Sequence, residues 1–292
     1  MVETAGAILL TIRLVIVICR KGYSWSFMIR LIASDIDGTM VPDSSDYIHP
    51  GYYDAVRELK KKGITFCACS GRQFHSMQQL LAPVAEDIYF IAENGTLVRT
   101  KDRILRNWAV DPDYYVTLLQ DMRAIEGASA VVSFPEVTYV DSGEDSRVFS
   151  ILRDSYRYSI ENVPDLMDLP HENVLKFTIF CENCEEVCAD FLNSHWNRDL
   201  KMAASGKQWI DLCSPDGGKG AALAFLQDYL GVKKEETLYF GDNMNDLPAF
   251  DAAGIAATVA NARPEVKERA DFIAASYSEL GVLKELERIL RS

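Results

Sequence analysis

The chain has 292 residues, of which 48% are hydrophobic and 25% charged, as in a soluble globular protein with one large domain or two average ones. This composition excludes a disordered chain, a collagen-like chain and a membrane protein of many spans. Lys and Arg number 30, Asp and Glu number 43, and the net charge is −13. Such a charge disfavours nucleic acid as a partner, and a function that uses a cation or a small molecule fits better.

The N-terminal segment contains an apolar run at 7–19. It is shorter than the roughly 20 residues that span a bilayer as a helix. A secretory signal has a basic start, whereas here Glu3 precedes the run and Arg20 and Lys21 follow it. We therefore interpret residues 1–27 as an extension outside the fold, with a signal or membrane anchor as the alternative.

From residue 31 onward, short apolar runs alternate with amphipathic stretches, a pattern typical of a parallel sheet covered by helices. The predicted strands are 31–34, 64–69, 88–92, 96–99, 104–108, 237–240 and 255–259. The predicted helices are 52–62, 74–81, 220–230, 246–253, 264–270 and 279–290. The pattern predicts an α/β, Rossmann-like core formed by residues 28–108 and 205–292.

The pattern of strands and helices changes in residues 109–204, and it predicts an inserted α+β domain. The predicted strands there are 130–134, 138–140 and 175–180, and the predicted helices are 114–125 and 184–196. This segment carries 18 acidic and 7 basic residues, a net charge of −11, so most of the acidity of the chain lies in the insert.

The seven cysteines form no regular framework, which indicates a reducing compartment and a cytoplasmic protein. Cys181, Cys184 and Cys188 form a C-x-x-C-x-x-x-C pattern, which can begin a zinc or iron–sulfur site. We favour packing in the core of the insert, because no second pair of cysteines or histidines stands at ligand spacing.

The most informative string is Ser-Asp-Ile-Asp-Gly-Thr, which places Asp35 and Asp37 directly after an apolar strand. Open parallel sheets bind ligands at the carboxyl ends of their strands. Two ionised carboxylates this close repel each other, so a cation or a shared proton is expected between them. An acidic turn without function is the alternative for this string alone.

A second string, Gly-Asp-Asn-Met-Asn-Asp, follows the strand at 237–240 and supplies Asp242 and Asp246. Carboxylate oxygens are ligands that Mg²⁺ prefers. Asp246 can also cap the helix that follows it.

Two further strings are weaker alone. The strand at 64–69 is followed directly by Ser70, Gly71 and Arg72. The serine hydroxyl and the backbone N–H groups there can hold phosphoryl oxygens or simply cap a helix. Lys219, flanked by glycines in Gly-Gly-Lys-Gly, can approach an anion closely, although this string alone favours a surface turn.

The four strings in this order resemble the haloacid dehalogenase superfamily of phosphohydrolases, with the insert in the position of a class II cap. Glu93-Asn94-Gly95 and Ala260-Asn261-Ala262 are similar to the Cof-like subfamily, class IIB. The resemblance covers nearly all of the chain after residue 28. Gly217 and Gly218 stand where the family usually has an apolar and a small residue, so a looser turn before Lys219 is expected.

The resemblance implies a role for each matching residue. Asp35 would be the nucleophile that forms an aspartyl-phosphate, and Asp37 would protonate the leaving oxygen and then activate water. Ser70 and Lys219 would stabilise the transition state. A Mg²⁺ ion would be held by Asp35, Asp37 (through its backbone carbonyl), Asp242 and Asp246. The predicted phosphate-binding residues are Gly38, Gly71, Arg72, Asn94 and Asn245, with Asn245 orienting Lys219 or a metal-bound carboxylate.

These features predict a Mg²⁺-dependent phosphatase of small phosphorylated metabolites, such as sugar phosphates or phosphorylated cofactors. We expect no nucleic-acid or membrane partner and a monomer or homodimer. The alternatives are a phosphomutase or phosphotransferase of the same superfamily, and a non-catalytic regulator with the same fold. In the insert, the cationic residues that could contact an anionic substrate, unless they are solvated surface charges, are Arg147, Arg153, Arg157 and Lys176.

Overall fold

A computed structural model of the protein describes residues 29–204 and 207–292. The extension predicted at 1–27 lies outside these residues. In chain order the strands are β1 (Leu31–Asp35), β2 (Thr65–Cys69), β3 (Tyr89–Ala92), β4 (Leu97–Arg99), β5 (Ile104–Asn107), β6 (Ser129–Ser133), β7 (Thr138–Val140), β8 (Ile160–Asn162), β9 (Lys176–Phe180), β10 (Lys201–Ala204), β11 (Trp209–Cys213), β12 (Thr237–Gly241), β13 (Ile255–Val259) and β14 (Phe272–Ala274). The helices are α1 (Gly51–Lys61), α2 (Phe74–Leu80), α3 (Tyr115–Arg123), α4 (Arg147–Ser150), α5 (Cys184–Val187), α6 (Ala189–Leu192), α7 (Trp196–Asp199), α8 (Lys219–Leu230), α9 (Leu247–Ala252), α10 (Pro264–Arg269) and α11 (Gly281–Arg291).

The first sheet has the strand order β14-β13-β12-β1-β2-β3-β4-β5. The strands from β14 to β3 run parallel, and β4 and β5 complete the sheet as an antiparallel hairpin. Strand β1 lies between β12 and β2, and all five of its residues are buried. The carboxyl ends of these three strands therefore meet at one edge of the sheet, where ligands bind in such folds.

The helices beside the first sheet form where apolar residues recur at helical spacing. In α1 the buried residues Tyr52, Ala55, Val56 and Leu59 recur at intervals of three and four, which places them on one face. The predicted core strands and helices are confirmed to within two residues at each end. Strand β14 at the sheet edge was not predicted.

The second sheet has the order β10-β11-β9-β6-β7-β8 and its own apolar core. Its strands pair antiparallel except β7 and β8, which are parallel. Strand β11 pairs with both β9 and β10, so this sheet continues to Cys213, past the predicted boundary at 204. We call the described residues of 109–213 the cap, and the remaining described residues the core.

The helix predicted at 184–196 is wrong, because the structure has three single-turn helices there, α5, α6 and α7. Cys188 (φ −100°, ψ 14°) and Asn193 (φ −95°, ψ 4°) interrupt the helical backbone. The Asn193 side chain donates a hydrogen bond to the carbonyl oxygen of Ala189, and the Ser194 hydroxyl accepts one from the backbone N–H of Trp196. Short polar side chains compete in this way with continuous helical hydrogen bonding.

Candidate active site

The carboxyl edge of the first sheet brings the predicted catalytic residues together. Asp35 ends β1, Ser70 follows β2, Asp242 follows β12, and Lys219 begins α8. The strands are neighbours, so residues far apart in the chain share this edge.

Lys219 forms the centre of the site. Its side chain is 1% exposed, and its Nζ atom lies 2.5 Å from Asp35 Oδ1 and 2.7 Å from Asp246 Oδ1. Burial raises the pKa of Asp35 well above its usual value, while Lys219 acts in the opposite direction. Burial also works against the charge of Lys219, but the two carboxylates outweigh it and raise the pKa of the ammonium group.

Asp246 accepts hydrogen bonds on both carboxylate oxygens. Oδ1 accepts from the Tyr239 hydroxyl at 2.8 Å as well as from Lys219. Oδ2 accepts from the backbone N–H groups of Asp242 and Asn243, each at 3.0 Å. Asp246 therefore holds both the ammonium group and the loop that carries Asp242.

Asp242 lies against the turn that follows Asp35. Its Oδ1 atom accepts a hydrogen bond from the Thr39 hydroxyl at 2.8 Å, and burial raises its pKa to about 6. Gly38 has φ +76°, and a Cβ atom there would lie 2.4 Å from Asp242 Oδ2. The Asn261 amide donates to the Gly38 carbonyl oxygen at 2.6 Å. Only glycine permits this close approach of the turn to Asp242.

One oxygen each of Asp35, Asp242 and Asp246 lies within 4.8 Å of the others. The Lys219 ammonium group pairs with Asp35 and Asp246, and Asp242 adds a third carboxylate to the cluster. Hard oxygen donors in such a group fit a divalent cation.

Asp37 is held by the loop after β2. Arg72 donates from Nε at 2.8 Å and from Nη2 at 2.5 Å to its two carboxylate oxygens, in a bidentate ion pair. The Ser70 hydroxyl lies 3.3 Å from Asp37 Oδ2, and the backbone N–H of Ser44 donates to Oδ1 at 3.0 Å. The Asp37 side chain is 26% exposed, so it remains accessible from the cleft.

A hydrogen bond connects the side chains of Asn94 and Asn245. The Asn245 amide donates to Asn94 Oδ1 at 3.0 Å, a partner other than the Lys219 or metal-bound carboxylate that the resemblance implies. The Asn94 amide in turn lies 3.5 Å from Asp211 Oδ2 in the cap. A Cβ atom on Gly71 would lie 2.9 Å from Asn94 Oδ1, so Gly71 leaves room for this side chain.

The turn before Lys219 is tight, which contradicts the expected looser turn. Gly218 has φ +139°, and its N–H donates to the Gly95 carbonyl oxygen at 3.3 Å. A Cβ atom on Gly95 would lie 2.2 Å from the Gly218 carbonyl carbon. The glycines thus allow two backbones to touch, which fixes the start of α8.

The four cap residues named above as possible anion contacts have different surroundings. Arg147, Arg153 and Arg157 form exposed ion pairs with Glu182, Asp154 and Asp46. Lys176 is buried and pairs with Glu93 of the core. Lys176 is therefore not a solvated surface charge.

The three cysteines of the C-x-x-C-x-x-x-C pattern also come together. Cys181 Sγ lies 3.9 Å from Cys188 Sγ, and Cys184 Sγ belongs to the same cluster. All three are buried in the cap core, and burial raises the pKa of Cys188 to about 11. Buried thiols pack as small apolar side chains, so this position is the one expected for packing in the cap core.

A cavity of about 240 Å³ lies between core and cap, next to the Arg72 side chain. Most of its lining is polar, with Ser44 and Ser76 from the core and Tyr156 and Arg157 from the cap.

Comparisons with known proteins agree with this geometry. A family model described as haloacid dehalogenase-like hydrolase matches residues 32–286. The chain belongs to this family. This confirms the resemblance and the fold predicted from the four strings.

Relatives of this haloacid dehalogenase-like hydrolase include phosphatases. It is 26% identical over 281 residues to the 5-amino-6-(5-phospho-D-ribitylamino)uracil phosphatase YbjI of Escherichia coli (strain K12), covering 90% of this chain and 97% of that protein. It is 26% identical over 244 residues to the HMP-PP phosphatase of Enterobacter sp. (strain 638), covering 82% and 87%. A crystal structure from Eubacterium rectale has a TM-score of 0.84 at 37% identity, covering 89% of this chain and 99% of that chain. The protein is a phosphatase of the haloacid dehalogenase-like family.

Several residues around the site were not predicted from the sequence. Tyr239 lies inside a predicted strand, and Gln73 and Asp211 belong to no recognised string. A polar residue inside an apolar strand is the one signal that could have pointed to Tyr239 and Asp211. Among the described residues, no helix combines the length and apolar character needed to cross a membrane.

Proposed function

We propose that the protein is a Mg²⁺-dependent phosphatase that hydrolyses small phosphorylated metabolites through an aspartyl-phosphate on Asp35. The observation that supports this most is the position of Asp35. Its carboxylate ends the central strand, contacts the Lys219 ammonium at 2.5 Å, and lies in one cluster with Asp242. Because burial favours the protonated form of Asp35, adjacent cations are needed to keep the nucleophile charged.

The reaction then has two halves. In the first, an oxygen of Asp35 bonds to phosphorus and the bond from phosphorus to the ester oxygen breaks. For this step Asp37 is protonated and released from its ion pair with Arg72, and it gives its proton to the ester oxygen. In the second, Asp37 takes a proton from water, the water oxygen bonds to phosphorus, and the bond to Asp35 breaks. Phosphate leaves, and both aspartates return to their initial states.

Several groups face the charge that develops on the phosphoryl oxygens. Lys219 and the Ser70 hydroxyl would stabilise the equatorial oxygens. The backbone turns at Gly38 and Gly71 and the side chains of Arg72 and Asn94 would border the phosphoryl group. Asn245 would act through its hydrogen bond to Asn94.

Asp35, Asp242 and the backbone carbonyl of Asp37 would hold the Mg²⁺ ion. Asp246 already accepts hydrogen bonds on both oxygens, so we assign it to the outer shell, where it orients Lys219 and the Asp242 loop. Bound Mg²⁺ would offset the repulsion between the Asp35 carboxylate and the anionic phosphoryl group.

The cavity beside Arg72 and the names of two relatives support the proposed substrate class. Its volume of about 240 Å³ lies below the roughly 300–1,000 Å³ of sites for drug-sized ligands, which favours a small leaving group. Serine and tyrosine side chains in the wall suit a leaving group with hydroxyl groups. One relative is named for 5-amino-6-(5-phospho-D-ribitylamino)uracil and another for HMP-PP. We therefore propose sugar phosphates or phosphorylated cofactors as substrates, and we propose a cytoplasmic location from the cysteine pattern.

The test is phosphate release from a panel of phosphorylated metabolites with and without Mg²⁺. We expect release by the wild type and none by Asp35→Asn, because an amide cannot form the acyl-phosphate. Asp228→Asn, an exposed aspartate on α8, is the matched control and should retain wild-type activity. No Mg²⁺-dependent release from any substrate would contradict the proposal, and an isomerised product without phosphate would indicate a phosphomutase.

A further inference from the structure

Two loops of the core carry both phosphate-site residues and contacts to the cap. The loop after β2 holds Ser70 and Arg72, and the next residue is Gln73. The loop after β3 holds Asn94, and the preceding residue is Glu93. Both Gln73 and Glu93 are buried against the cap rather than exposed to the cleft.

Gln73 binds the cap with its whole side-chain amide. Its Nε2 atom donates to Thr138 Oγ1 at 3.1 Å and to the Ser159 carbonyl oxygen at 3.0 Å. Its Oε1 atom accepts from the Ser159 backbone N–H at 2.6 Å. These bonds place the amide at β7 and at the residue before β8, and Gln73 itself is 1% exposed.

Glu93 binds the cap through an ion pair. Glu93 Oε2 lies 2.8 Å from the Lys176 ammonium of β9, which also lies 3.6 Å from Asp211 Oδ2 of β11. Glu93 and Lys176 are almost completely buried, so water screens their attraction little. Breaking such a buried pair leaves an uncompensated charge.

The two loops also hold each other. The Glu93 N–H donates to the Arg72 carbonyl oxygen, and the Asn94 N–H donates to the Ser70 carbonyl oxygen, each at 3.0 Å. Glu93 and Asn94 have positive φ angles of 50° and 56°. Asparagine adopts this backbone readily, whereas glutamate keeps it only where its surroundings enforce it, and the surroundings of Glu93 include the cap.

We propose that Gln73 and Glu93 are positioning residues that make the phosphate site dependent on the docked cap. When the cap is docked, the amide of Gln73 and the carboxylate of Glu93 hold their loops in the conformation that presents Arg72 and Asn94 to the phosphoryl group. When the cap leaves, both loops lose their partners, and the phosphate site is incomplete. This inference rests on the proposed function of the same site.

The experiment compares Gln73→Met and Glu93→Gln with the wild type. Both substitutions keep the side-chain volume similar while removing hydrogen bonds or charge. We expect kcat for p-nitrophenyl phosphate to fall about 10- to 100-fold, because small displacements of positioning groups have effects of this size. The dissociation constant of orthovanadate, measured by titration calorimetry with Mg²⁺, should rise at least 10-fold, while the half-activating Mg²⁺ concentration changes less than 2-fold.

Orthovanadate has no leaving group, so loss of its binding reports the phosphate site rather than substrate contacts of the cap. The matched control is Glu136→Gln, which removes a different core–cap ion pair, that with Arg99, through a carboxylate that is largely exposed. It should leave kcat and orthovanadate binding within 2-fold of the wild type. Wild-type orthovanadate binding in Gln73→Met and Glu93→Gln would overturn the inference. A wild type that binds orthovanadate but releases no phosphate would overturn the proposed function alone, since the calorimetric comparison still decides the inference.

Discussion

The core and the cap each bury an ammonium group between two carboxylates, and we propose a catalytic role for one and a structural role for the other. Lys219 of the core lies 2.5 Å from Asp35 and 2.7 Å from Asp246. Lys176 of the cap lies 2.8 Å from Glu93 and 3.6 Å from Asp211. Lys219 touches the proposed nucleophile, whereas Lys176 joins a core loop to the cap sheet. Burial and charge alone therefore do not identify a catalytic lysine. The carboxylate that the lysine contacts is what separates the two proposed roles.

The largest effect is expected for Lys219→Met. We expect kcat to fall about 10²- to 10³-fold, because the transition state loses a preorganised cation. Steady-state phosphate release measures the loss, with Asp35→Asn as the zero level. A kcat within 5-fold of the wild type would show that Lys219 is structural, like Lys176.

The second variant is Lys176→Met, for which we expect the free energy of unfolding to fall by about 3–5 kcal/mol, because Glu93 and Asp211 lose their buried partner. Urea unfolding measures the change. The double variant Lys176→Met/Glu93→Gln should be more stable than the single variant, since one uncompensated charge is removed. Equal stability of the two variants would contradict the account of this ion pair.

The third concerns Gly95, which lies between the two lysine clusters. Gly95→Ala adds backbone strain at φ +91° and a Cβ atom 2.2 Å from the Gly218 backbone, so we expect a loss of about 2–4 kcal/mol. Gly127→Ala is the matched control, because φ is +75° there but nothing lies within 4 Å of the new Cβ. It should lose only about 1 kcal/mol in the same urea experiment. Similar losses in both would show that the contact with Gly218 does not matter.

The sequence was sufficient to predict the core fold and the clustering of Asp35, Asp242, Asp246 and Lys219. Each of these residues stands at the end of an apolar strand or the start of a helix, and parallel topology brings such ends together. Local pattern and this topological rule predicted the position of the three aspartates. Lys219 was assigned to the site through the resemblance of the four strings to the haloacid dehalogenase superfamily.

The cap contacts could not be predicted in the same way. Gln73 and Lys176 are separated by about a hundred positions in the chain, and no rule of spacing says that both face the core–cap boundary. The boundary at 204 was misplaced because β11 directly precedes the loop to Lys219, and only its pairing with β9 assigns it to the cap. The helix at 184–196 failed because the local hydrogen bonds of Asn193 and Ser194 outweigh the apolar spacing.

The most direct test of the central claim is chemical trapping of the intermediate. Enzyme turning over a phosphorylated substrate with Mg²⁺ is quenched in acid and reduced with borohydride, which converts an aspartyl-phosphate into homoserine, and peptides are then read by mass spectrometry. The account predicts homoserine at position 35 only, in a substrate-dependent manner. Homoserine at position 37, or none at either position in an enzyme that releases phosphate, would contradict it.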